Sequence, residues 1–276
     1  MKKCLVVAVL AVLSVSCAEP TNPSAQNALN PGAAHLDVSV ASAGSVLPSA
    51  YASVMGTVNN NFPHSQKNLR YQQVFLGSDV VNPVIVGLCL RRDEILSPSP
   101  TRTQTLTVRL GPTALDYTNL TSTFDANYSA APTEVFTGDV VIPASPGSGT
   151  AADFDFCIPF TTEYDQPAGS NLIVEVINTS LTSGNVPRDA CSGDAADCTT
   201  ARAYAFSSDA TDAFSVERGG LVMKLVSPEP PAPVNPVIKS DCMKGGWSDF
   251  GFRNQGQCIR FIETGTDSRT GDGSST

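Results

Sequence analysis

This 276-residue chain has few basic residues, few histidines and a single tryptophan. Lys and Arg number 17 against 26 Asp and Glu, a net charge of −9, and no basic run occurs. Such a charge repels phosphate backbones, which excludes nucleic acid as a partner. Histidine occurs only at His35 and His64. A Ser-His-Asp site needs an imidazole held in place. His35 lies in a stretch of small residues, and His64, in NNNFPHSQKN, reads as an exposed loop residue with no Gly-x-Ser-x-Gly elbow beside it. Zinc spacings are missing: there is no Cys-x2-Cys, no His-x3-His and no His-Glu-x-x-His. Phosphate-binding glycine loops are missing too. No apolar run approaches the roughly 20 residues that span a bilayer; LVVAVLAVLSV has 11.

That run follows MKK and Cys4, and the basic start and the apolar run together read as an export signal over 1–17. The segment ends in LSVSC, which resembles a bacterial lipobox. The resemblance implies that Cys17 carries lipid and anchors the mature chain to a membrane. Ordinary cleavage after Ala18 is the alternative, because Ser16-Cys17-Ala18 satisfies a small-x-small rule. Cysteine usage agrees with export. Beyond Cys4 and Cys17 of the signal, six remain, and an even number in an exported chain reads as disulfides. Spacing pairs Cys191 with Cys198 and Cys242 with Cys258, which leaves Cys89 with Cys157; two buried free thiols are the alternative for that last pair.

Composition divides the rest. Residues 18–49 are Pro-, Ala- and Ser-rich and read as a disordered tether. From 50 to 227, short runs rich in Val, Ile, Leu, Phe and Thr alternate with Gly, Pro, Asn and Asp. They predict strands at 71–76, 83–92, 104–110, 133–142, 153–160, 171–178, 201–206 and 220–226. In QTLTVRL, Leu106, Val108 and Leu110 share one face while Thr105, Thr107 and Arg109 share the other. No sustained helical period occurs, although LTSTFDANYSA (120–130) has room for one helical turn. The fold expected is all-β, an antiparallel β-sandwich. PEPPAPVNP (228–236) places five prolines in nine residues, so 228–237 reads as a semi-rigid linker. Residues 238–263 form a small cysteine-closed module, and 264–276 a disordered tail.

The ordered blocks RYQQVFLGSD, PVIVGLCLRRDE, TLTVRLGPT, FDFCIPFTTEYDQPAGSNLIVEVIN and GLVMKL resemble an exported bacterial β-sandwich domain found in proteins of the PEP-CTERM type, over roughly 70–226. The resemblance implies an extracellular sandwich. It also implies a structural ion pair between an arginine and an acid within Arg91-Arg92-Asp93-Glu94. CMKGGWSDFGFRNQGQC resembles a short C-terminal module of exported bacterial proteins, with a Cys, Gly-Gly-Trp, an aromatic, Asn-Gln-Gly and a second Cys. Too few residues lie there for an unaided core. Trp247, Phe250, Phe252, Ile259 and Phe261 therefore pack on the bridge in one reading. In the other, Trp247, Phe250, Phe252 and Asn254 form an exposed platform for a sugar or a partner.

No residue is assigned a catalytic role. Glu134, Glu163, Glu175 and Glu217 are available for paired-carboxylate hydrolysis, and Glu175, inside LIVEVIN, reads as an outward-facing strand acid. No metal ligand is assigned. Calcium is the one cofactor considered, through Asp189, Asp194 and Asp197 or through Asp209 and Asp212, with solvated loops as the plain alternative. The sum is a non-enzymatic secreted or cell-surface protein that binds a glycan, matrix or envelope component. A carboxylate-based extracellular hydrolase is the alternative.

Overall fold

The computed structural model describes residues 44–93, 98–144, 146–147, 149–182, 184, 186–228 and 235–269. The export signal, Cys17, His35, most of the expected tether and residues 270–276 lie outside the described residues. Twelve strands and one α-helix are present among the described residues. The strands are β1 (Gly44–Leu47), β2 (Val58–Asn60), β3 (Leu69–Phe75), β4 (Val84–Leu90), β5 (Arg102–Thr113) and β6 (Thr133–Ile142). The second half adds β7 (Phe156–Asp165), β8 (Asn171–Asn178), β9 (Arg188–Ser192), β10 (Thr200–Ala205), β11 (Ser215–Leu221) and β12 (Met223–Val226), followed by helix α1 (Gln255–Thr264).

The strands form two antiparallel sheets. The smaller runs β1-β12-β4-β7 and the larger β2-β9-β11-β10-β3-β8-β5-β6. Their facing side chains make one core. Leu88, Phe156, Ile158, Met223 and Leu225 come from the smaller sheet, and Leu69, Tyr71, Leu106, Val108, Val174 and Val176 from the larger. Each such side chain contributes roughly 1.5–3 kcal/mol of burial. The alternation in β5 holds as expected: Leu106, Val108 and Leu110 are buried, and Thr105 is exposed.

Three strands were not expected. β1 lies inside the stretch read as tether, where Leu47 is fully buried and pairs with Met223. Its local composition is loop-like, and pairing to the edge of β12 overrides it. β2 and β9 are short and weakly apolar. GLVMKLV, expected as one strand, is two: β11 belongs to the larger sheet and β12 to the smaller, with the chain crossing at Val222. At that crossing Leu221 has passed the last β10–β11 pair, Ala201–Arg218. The Gln73 amide bonds it instead, donating to the Leu221 carbonyl at 2.9 Å and accepting from its N–H at 3.0 Å. A Cβ on Gly220 would sit 2.5 Å from Gln73 Cδ, so glycine is required there.

All seven residues of β3 are buried, on both faces. The β5–β6 connection explains this. It contains a 3-10 turn at Phe124–Asn127, and Tyr117, Leu120, Phe124 and Tyr128 cover the outer face formed by Val74, Ile173, Ala201 and Ala203. Residues 114–132 therefore act as a strap across the larger sheet.

Three disulfides join Cys89–Cys157, Cys191–Cys198 and Cys242–Cys258. Cys89 and Cys157 are direct partners across β4 and β7. These bonds place the folded chain in an oxidising compartment. No helix among the described residues is long and apolar enough to cross a membrane.

Candidate functional site

The strongest exposed feature lies where β10 and β11 meet their connecting loop. Tyr204 and Phe206 are two residues apart, and Phe214 returns at the end of the loop just before β11, its N–H donating to the Tyr204 carbonyl at 2.8 Å. Phe62 packs against Tyr204 with ring centroids 4.6 Å apart. The Tyr204 and Phe214 rings are inclined by only 40°, while Phe206 stands across them at 77° and 61°. The edge contacts brace the group, since edge-to-face pairs are the favoured aromatic geometry. Tyr204 is buried, but Phe206 is 51% exposed and Phe214 73%. Two large apolar rings in water, neighbouring and braced, form a candidate binding platform.

The polar part of the face is Arg202 and Glu217, opposite each other on β10 and β11. The guanidinium lies 5.7 Å from the Tyr204 ring and 6.0 Å from Phe62. Glu217 accepts from Arg202 at 2.7 and 3.3 Å, from the Tyr204 hydroxyl at 2.9 Å and from the Ser215 hydroxyl at 2.9 Å. Burial alone would push its carboxyl up. The hydrogen bonds from Arg202, Tyr204 and Ser215 and the guanidinium charge outweigh that and hold it below the usual carboxylate range. Glu217 is thus a fixed anion with its lone pairs occupied, suited to structure rather than to proton donation. Beyond Arg202 the face opens into a shallow cleft of about 140 Å³. It is lined by Val58, Asn59, Ser192, Gly193, Arg202 and Gly220, among others.

No protein-family model, curated protein or solved structure matches this chain.

The residues read from the sequence as a binding platform sit elsewhere, while Glu217, one of the acids considered for hydrolysis, lies on this face. Within 235–269, Cys242, Phe252 and Cys258 form a small core with Trp247, Phe250, Ile259, Phe261 and Ile262 packed on it. Phe252 is buried at 3% exposure, so the platform reading is corrected there: the ring is core. Asn254 is the N-cap of α1, its side chain accepting from the Gln257 N–H at 2.9 Å. Trp247 and Phe250 are half-buried against the same core. The tail expectation is also corrected at its start. Arg269 lies 4.6 Å over Phe252 and donates to the Phe250 carbonyl at 3.1 Å and to Asn235 Oδ1 at 2.6 Å.

His64 is not an exposed loop residue. It is 1% exposed, its Nδ1 lies 2.9 Å from Gln104 Oε1, and its ring stands edge-on to Phe156 at 5.1 Å. Desolvation lowers its pKa to about 3. Glu175 does face outward from β8, but the strap buries it completely. It pairs with Arg70 Nε and accepts from the Tyr128 hydroxyl at 2.7 Å. Burial first, then the Glu175 charge, drives the Tyr128 hydroxyl well above its ordinary range. Arg91 finds its acid outside its own loop. It is fully buried, with Nε 2.6 Å from Asp189 Oδ2 and its other nitrogens on the carbonyls of Tyr51, Val54 and Ala151. Arg92 and Arg188 share Asp155.

The acids considered for calcium are engaged singly. Asp189 holds Arg91 and the Gly56 N–H, Asp197 accepts from the Tyr51 hydroxyl at 2.8 Å, and Asp212 accepts from Thr123 at 2.7 Å. Among the described residues no three His, Cys, Asp or Glu side chains gather as a metal site. Sequence reasoning missed the platform. The available signal was an aromatic at every second position, Tyr204 and Phe206, running past the strand end into a loop that closes with Phe214.

Proposed function

We propose that this chain is a non-enzymatic exported binding protein that holds an uncharged glycan on the Tyr204–Phe206–Phe214 face. The observation that carries the reading is the braced exposure of Phe206 and Phe214 beside an internally neutralised Arg202–Glu217 pair. Sugar rings offer apolar C–H faces to an aromatic ring and hydroxyls to the polar groups beside it. The ion pair balances its own charge at the aromatic end of the face. The chain is tethered to a membrane by lipid on Cys17, which keeps the sandwich at the cell surface. Glu217 is tied into the sheet, its two oxygens accepting from Arg202, Tyr204 and Ser215.

The test is calorimetric titration with neutral saccharides against wild type and Phe214→Ala. Removing the ring discards roughly 1.5–3 kcal/mol of burial, about a tenfold or greater loss of affinity. Unchanged binding in the variant, or no binding of any saccharide by wild type, overturns the reading. Growth with radioactive palmitate checks the anchor: wild type takes up label and Cys17→Ser does not.

A further inference from the structure

The platform and the cleft share Arg202. Its guanidinium lies by the Tyr204 and Phe62 rings, and the same side chain forms one wall of the cleft. Arg202 thus stands between two neighbouring spaces whose linings differ chemically. The platform half is apolar and ring-like, with Phe214 and Phe206 exposed. The cleft half is polar: Ser192, Gly193 and Gly220 line it with Arg202 and the exposed Arg218, Asn59 edges it, and Val58 is its exposed apolar side chain. Gly193 and Gly220 owe their lack of a side chain to packing. A Cβ on Gly193 would meet Arg218 Cβ at 2.5 Å, and one on Gly220 would meet Gln73. Both glycines lie in the cleft lining.

Its walls are fixed. The Cys191–Cys198 bond closes the loop that carries Ser192 and Gly193, and Asp197 of that loop holds the Tyr51 hydroxyl. The Ser192 N–H donates to Thr57 at 3.0 Å, which ties the loop to the residue preceding β2. A ligand thus meets a preformed surface rather than one it must order, which lowers the cost of binding.

We infer that the glycan is bound as a chain of several sugar units, one stacked on Phe214 and another, further along the chain, lying past Arg202 in the cleft. This rests on the glycan reading of the platform and adds a second subsite to it. A single sugar fills only the stacking half; an oligosaccharide engages both.

Wild type, Phe214→Ala and Asn59→Trp are titrated with glucose and with β-1,4- and β-1,3-linked glucose, α-1,4-linked glucose and β-1,4-linked mannose oligomers of two to six units. Asn59 is exposed on an edge strand, so the tryptophan fills the cleft without disturbing the core. Affinity is expected to rise at least tenfold from one unit to four. Asn59→Trp removes that gain and leaves binding of the single unit, while Phe214→Ala loses both. If one unit and four bind wild type equally and Phe214→Ala abolishes both, the second subsite is wrong and the platform stands. If no saccharide of any length binds, the platform reading fails and the second subsite falls with it. An intact wild-type far-ultraviolet spectrum in both variants guards against misfolding.

Discussion

At the residue scale, the decisive side chains are those whose burial the sequence does not announce. His64 sits in NNNFPHSQKN, a polar string that reads as surface, yet it is packed against Phe156 and Gln104. Burial there follows from which strands surround the loop, and that is a tertiary fact. It makes a pH prediction. The unfolded chain takes up a proton on histidine near pH 6.5, while the folded His64 resists until about pH 3. A lowered pKa means the folded state binds fewer protons between those values. Stability is then full above 6.5 and falls as the pH drops through the window, by at most ~1.4 kcal/mol per pH unit. Urea midpoints from pH 7 to 4 are expected to fall more steeply for wild type than for His64→Gln; parallel curves would show that His64 titrates normally. Platform residues were hidden for the opposite reason. Phe206 and Phe214 are unremarkable apolar letters in sequence, and only their exposure in the fold makes them a candidate site.

At the scale of elements, the strands with two-residue alternation were legible and the short or loop-like ones were not. β6 and β8 stand at their expected bounds, because TEVFTGDVVI and NLIVEVIN carry β-branched residues between clear turn signals. The crossing at Val222 was illegible, since an unbroken apolar run gives no sign of a change of sheet. Helix α1 was missed for its shortness, although Asn254 before it and Gly265 after it are ordinary cap residues. The strap is the element whose energetics are most open to test. Arg70 reaches from β3 to Glu175 on β8, to Asp125 on the strap at 2.7 Å and to the Ala210 carbonyl at 2.8 Å. Asn127 donates to Gln72 Oε1 at 3.0 Å and holds Thr121. Arg70→Met leaves Glu175 buried beside one hydroxyl, and removing one partner of a buried pair costs about 3–5 kcal/mol. Replacing both, as Arg70→Met with Glu175→Met, is expected to recover a good part of that loss in urea unfolding. A single-variant loss below about 1 kcal/mol would show the pair to be dispensable.

At the scale of the whole molecule, three disulfides divide the work by position. Cys89–Cys157 ties two strands across 68 residues, Cys191–Cys198 closes a loop of 7, and Cys242–Cys258 spans 16. Loop-closure entropy assigns them about 4, 2 and 3 kcal/mol in that order. Their consequences differ because their surroundings differ. The sandwich has a core spanning both sheets and loses only a fraction of its stability with Cys89–Cys157. The C-terminal module has Cys242, Phe252 and Cys258 as its only buried apolar residues among those described, with half-buried rings around them. A core of that size does not hold a chain by itself, so the 242–258 bond is expected to be required for the module to fold. The chain's single tryptophan is Trp247, which lies in the module and packs on that core. Its emission therefore reports on the module alone. In Cys242→Ser with Cys258→Ser, Trp247 emission is expected to shift to the wavelength of the urea-unfolded protein at zero urea. In Cys89→Ser with Cys157→Ser it stays at the native wavelength, while the sandwich, followed by far-ultraviolet dichroism, unfolds at lower urea. Native tryptophan emission in the first variant would mean that Arg269, stacked on Phe252 and Phe261 and bonded to Asn235, holds the module closed without its bridge.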